Sequence, residues 1–154
     1  MTSGARVVGL GQRLAGDDGV GHAVLDELGR RCLPSGTELV HLERPMDLCP
    51  LLEQPEPVVL VDAVLAAPPG LVVELSPEEL ASRAAQPSSS HGMGAAQAIR
   101  LAMALAPGAP PRVWVVAVTI SPPDRRGAGL SPEVAAAVPE AADLVLSLLE
   151  ARRA

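Results

Sequence analysis

Four consecutive apolar residues, Val58-Val59-Leu60-Val61, run directly into Asp62. A strand with one wet face alternates apolar and polar residues. An unbroken, largely β-branched run is instead covered on both faces, as in parallel sheets flanked by helices. Arg6 to Gly11 (RVVGLG) and Arg112 to Ile120 (RVWVVAVTI) have the same character. Thr37 to Leu42 (TELVHL) alternates and predicts another strand. Gly70 to Leu75 (GLVVEL) follows a Pro-Pro-Gly turn too short for a parallel crossover, so an antiparallel excursion is expected there.

Between these runs the period becomes helical. Val20, Val24, Leu25, Leu28 and Cys32 share one face, with Asp26, Glu27, Arg30 and Arg31 opposite, and Pro34 and Gly36 are expected to stop the helix. A short helix is predicted over 47–53, a single helical turn over 77–84 within a loop-like stretch to residue 90, and a helix over 94–106. The last helix is expected over 131–153, broken near Pro139. The alternation implies an α/β fold: a three-layer αβα sandwich around an open, mostly parallel, five-stranded twisted sheet with one strand antiparallel. At 154 residues one domain over 1–154 is expected, since such a chain hides roughly 70% of its unfolded surface.

Composition excludes several functions. The chain has no Lys, Phe or Tyr, Trp114 is its one aromatic residue, and the net charge is −6. A nucleic-acid module needs a basic footprint and usually stacking rings, so none is expected. The chain has no run of ~18 apolar residues, so a membrane span is not expected. Cys32 and Cys49 fit neither a disulfide framework nor a zinc motif, which points to the cytoplasm.

In open α/β sheets, ligands bind beyond the carboxyl ends of the strands. The first such end is a glycine-rich turn, Gly9 to Gly21 (GLGQRLAGDDGVG). A dinucleotide fingerprint fails because its third glycine would be Leu14. A phosphate loop fails because Asp17-Asp18 stands where Lys-Ser/Thr should, so no nucleotide is expected. The turn supplies its own anions; one of the acids is expected to cap the following helix, and at least one to serve function. Asp62 repeats the theme at the end of the 58–61 run, and His91 enters a helix after Ser88-Ser89-Ser90. Brought to one edge, Asp18, Asp62 and His91 could bind a divalent ion such as Ni²⁺ or Zn²⁺ and leave positions open for substrate. His22, in a helix, and His41, in a strand, read as structural. The serines lack the G-x-S-x-G elbow of a serine nucleophile.

These motifs resemble those of the hydrogenase maturation proteases, which trim the C-terminus of nickel-iron hydrogenase large subunits. The family's first motif is similar to GLGQRLAGDDGVG at 9–21, with Gln12 in place of the usual Asn. Its middle motif resembles VLVDAV at 59–64, with a Pro-Gly turn at 69–70. Its third resembles SSHGMG at 89–94, and the tail GAGLSPEVAAAVPEAADLVLSLL is also similar. The resemblance implies that Asp18, Asp62 and His91 contact nickel and serve catalysis. The nickel is carried by the substrate, a hydrogenase large-subunit precursor, and is bound transiently by a protease expected to be a cytoplasmic monomer. Two other readings stand beside this one. One is a chaperone-like module that senses nickel without cutting; the other is an aspartic-type peptidase in which Asp18 and Asp62 share a proton.

Overall fold

The computed structural model describes residues 4–84, 91–122 and 129–151. In chain order the elements are β1 (Arg6–Leu10), α1 (Val20–Leu28), β2 (Glu38–Leu42), α2 (Leu48–Leu52), β3 (Val58–Leu65) and β4 (Val72–Leu75). They continue with α3 (Pro77–Ala84), α4 (His91–Leu105), β5 (Val113–Ile120) and α5 (Pro132–Ala151), and 3-10 turns span Gly16–Gly19 and Pro45–Asp47. The five strands form one sheet in the order β2-β1-β3-β5-β4. All neighbours are parallel except β4, which runs antiparallel to β5 with Val72 opposite Val118.

Side-chain alternation along the strands divides the core into two layers. Val7, Val59, Val61, Val116 and Val118 pack with α1 and α5 on one face. Val8, Val58, Leu60, Val64 and Val115 pack with α2, α3 and α4 on the other. This is the three-layer arrangement expected from the sequence, with aliphatic side chains filling both layers. Among the described residues no helix is long and apolar enough to cross a membrane.

Besides shifts of one to three residues at other ends, such as α4 starting at His91 rather than 94, four boundaries differ from expectation, each for a local reason. β3 does not end at Asp62 but runs on to Leu65, because its pairing with β5 continues through Asp62–Ala117 to Leu65–Ile120. α1 ends at Leu28, ahead of Pro34. The N–H groups of Arg30 and Arg31 bond only three residues back, to Glu27 O at 3.1 Å and Leu28 O at 3.0 Å, and this tightened turn leads the chain out and leaves Cys32 exposed. α3 is a full eight-residue helix rather than a single turn. A reciprocal capping box starts it: Ser76 Oγ accepts from the Glu79 N–H at 3.1 Å, and Glu79 Oε1 accepts from the Ser76 N–H at 3.0 Å. α5 passes unbroken through Pro139. The carbonyl that loses its donor there belongs to Ala135, on the exposed face where water can serve it.

Candidate active site

The sheet order reverses direction at β1. The chain goes outward from β1 to β2, covered by α1, then returns to β3 on the other side of β1. The crevice at such a switch point, beyond the carboxyl ends of the strands, is where open α/β sheets bind ligands. Asp18, from the turn after β1, and Asp62, from the carboxyl half of β3, both belong to it.

Close backbone packing brings the two together. A Cβ added to Gly21 would lie 2.6 Å from Val61 O, so only glycine lets the start of α1 settle onto β3. Gly11 has φ +141°, and a Cβ there would meet Asp18 O at 2.1 Å. The tight turn this permits sends the Gln12 N–H into Asp18 Oδ2 at 2.8 Å, and Asp18 is only 3% exposed.

Asp62 shares the parity of Leu60 and Val64, so it faces the α4 side of the sheet. It is 2% exposed. Its Oδ1 accepts from the Ala63 N–H at 2.8 Å, while Oδ2 has no hydrogen-bond partner among the described residues. Burial pushes this carboxyl well above the ordinary carboxylate range. The Ala63 N–H works against the rise, and the charge of Asp18 adds to it.

His91 is the first residue of α4. Since α4 leads into β5, which runs parallel to β3, the helix start lies at the same end of the sheet as Asp62. Pro45, in the turn after β2, packs against this end: a Cβ on Gly94 would meet its ring at 2.7 Å. The side chain of His91 and residues Ser88, Ser89 and Ser90 lie outside the described residues. Among the described residues, no group of three or more His, Cys, Asp or Glu side chains could hold a metal ion.

The N-cap position of α1 is held by Gly19 and by neither acid of the first turn, contrary to expectation. Asp17 reaches across the molecule to Ser131, accepting its N–H at 2.7 Å and its Oγ–H at 2.8 Å. Ser131 is the residue before Pro132, and its carbonyl takes the first bond of α5, from Ala135 N–H at 2.8 Å. One of the two acids, either of which could have capped α1, therefore fastens the start of α5.

His22 and His41 have a partnership that sequence reasoning missed. Their rings stack at 5.1 Å and 13°, with the two Nδ1 atoms 2.8 Å apart. Arg13 Nη2 lies 3.1 Å from His41 Nδ1, and Asp26 Oδ1 is 4.0 Å from His41 Nε2. Burial, then His22 and Arg13, holds His41 below the usual imidazole range despite the opposing Asp26. The signal that could have linked them was geometric: β2 is parallel to β1, with His41 paired to Gly9, the residue against which Gly21 packs.

Comparison with known proteins agrees with this architecture. A family model described as hydrogenase maturation protease matches residues 42–148, a span containing Asp62 and His91. Protein FrxA of Pyrococcus furiosus is 34% identical over 139 residues, covering 87% of this chain and 96% of that protein. Among solved structures, the hydrogenase maturating endopeptidase HybD from E. coli superimposes with a TM-score of 0.82 at 23% identity, covering 98% of this chain and 94% of that one. The [NiFe] hydrogenase maturation protease HybD from Thermococcus kodakarensis gives 0.74 at 26% identity, with 96% and 99% covered.

Proposed function

The chain belongs to the hydrogenase maturation protease family, and from that premise we propose that it removes the C-terminal extension of a nickel-iron hydrogenase large-subunit precursor once nickel has been inserted. Membership makes it a peptidase of hydrogenase maturation. The proposal concerns how nickel enters and which residues receive it.

The observation that carries it is Asp62 Oδ2, which has no hydrogen-bond partner among the described residues and is buried next to a second carboxylate. An anionic oxygen in that position is costly until a proton or a cation reaches it. Nickel borne by the precursor supplies the cation, and carboxylates with an imidazole suit it. In this reading Asp18, Asp62 and His91 take hold of the substrate's nickel and so bring the scissile bond to the crevice. One carboxylate removes a proton from a water as it attacks the scissile carbonyl, and that proton is passed to the departing amine. When nickel leaves with the product, Asp62 takes up a proton again. The enzyme acts as a cytoplasmic monomer that needs neither nucleotide nor nucleic acid.

The test is precursor mobility on a gel in a nickel-replete extract. Asp18→Ala and His91→Ala are each expected to process at less than about one-hundredth of the wild-type rate. Wild-type rates in both variants refute the assignment, and co-elution with an uncut precursor selects the chaperone-like reading. The raised Asp62 carboxyl also favours a second reading, an aspartic-type peptidase in which Asp18 and Asp62 share a proton. Cleavage of nickel-loaded precursor that resists chelators selects that version.

A further inference from the structure

We propose that His22 is a positioning residue that aims Asp18 through a single peptide group. This rests on the assignment of Asp18 to the substrate's nickel. His22 Nε2 lies 2.7 Å from Gly11 O, and Gln12 N lies 2.8 Å from Asp18 Oδ2. That oxygen and that nitrogen are the two ends of one amide. Because the peptide is planar and trans, its C=O and N–H point in opposite directions, so fixing one end aims the other.

A carbonyl can only accept, so Nε2 of His22 carries a hydrogen and donates it. A neutral His22 with its hydrogen on Nε2 accepts at Nδ1, so the hydrogen between the two Nδ1 atoms is then His41's; a hydrogen on both nitrogens of His22 makes it an imidazolium, with Nε2–H still donated to Gly11 O. The groups facing the pair are Arg13 and Asp26, both at its outer, His41 side. His22 is 2% exposed and anchored on α1. Gly11 has no side chain of its own to set the orientation of this peptide, and it sits at a φ that other residues rarely adopt. Hydrogen bonds in series also polarise one another, so the His22 donation strengthens the Gln12 N–H as a donor to Asp18. The effect is a carboxylate whose plane is set before substrate arrives, as an outer-shell partner sets a metal ligand.

The experiment uses the full chain, free of metal and then titrated with Ni²⁺. In the wild type, the imidazole ¹⁵N resonances should show Nε2 of His22 protonated at the pH of processing; an unprotonated Nε2 overturns the proposal without any mutation. In His22→Leu, the Gln12 amide proton should move upfield and exchange faster with solvent, and Ni²⁺ affinity by calorimetry should fall about tenfold or more. His22→Gln, whose amide N–H can reach the same carbonyl, should restore all three. An unchanged Gln12 amide in His22→Leu overturns the relay, as does a His22→Gln variant that melts like the wild type yet binds Ni²⁺ as poorly as His22→Leu. Should His22→Leu fail to fold, the wild-type Nε2 and His22→Gln still decide. Absence of Ni²⁺ binding by the wild type would overturn the nickel reading instead, and the Gln12 amide would still decide the relay.

Discussion

Replacing Asp62 by Asn should change how stability depends on pH, with a sign that follows from burial. In the folded protein, desolvation and then the charge of Asp18 raise the Asp62 carboxyl well above its ordinary range, against the Ala63 N–H. In the unfolded chain it titrates near the ordinary value of about 3.9. Between those two values the folded state binds more protons than the unfolded state, so stability falls as pH rises. The contribution is fully present below the unfolded value and lost as pH climbs through the folded one. Its slope is at most about 1.4 kcal/mol per pH unit. For a chain of 154 residues that is about 3–6 °C of melting temperature per unit.

Asp62→Asn keeps the shape and the acceptor for Ala63 N–H but has no proton to lose. It also turns an amide hydrogen toward the space that Oδ2 occupies. Glu27 and Glu56, whose carboxyls are lowered by Arg30 and Arg31 and by the Glu56 backbone and Arg6, make stability fall at low pH in both proteins. They cancel in the difference. Calorimetric melts of both proteins without divalent cations, from about pH 4 to about pH 8, should therefore show the variant overtaking the wild type as pH rises. Parallel curves, or a variant that loses ground to the wild type as pH rises, would refute the reasoning.

Other substitutions probe the supports of the site. Gly11→Ala places a methyl group 2.1 Å from Asp18 O and should cost well over about 1 kcal/mol by urea titration, with faster exchange of the Gln12 amide. Asp17→Ala removes both bonds to Ser131 and should cost about 1–3 kcal/mol, with loss of hydrogen-exchange protection at the first turn of α5. Pro139→Ala returns a donor to the Ala135 carbonyl in α5 and should stabilise by up to about 3 kcal/mol, read as a higher urea midpoint with unchanged slope.

The layers were legible because they depend on local pattern. Val58–Val61 could be read as doubly covered since every residue in it is apolar, and the Pro-Pro-Gly turn before β4 allowed nothing but an antiparallel return. The end of β3 was not legible, because an acid looks like a strand terminus until its pairing partner, Ala117, is known. Within the site, Asp18 and Asp62 stood out as acids beside strand ends, and their crowding follows from the switch between β1 and β3. The use of Asp17 was hidden, since its partner lies 114 residues away. His22 and His41 each looked ordinary alone. Only the parallel register of β1 and β2, with α1 seated over Gly9, makes them a pair.

The clasp between Asp17 and Ser131 also sets an order of assembly. A growing chain that has reached Ile120 already contains all five described strands, both acids of the first turn and His91, yet it lacks Ser131, the residue that holds Asp17. The turn bearing Asp18 gains that hold only when α5 has been made and has docked against α1. One end of the crevice is thus fastened by an element that follows all five described strands, so a chain stopped at Ile120 holds Asp18, Asp62 and His91 without the full frame that steadies the turn of the first.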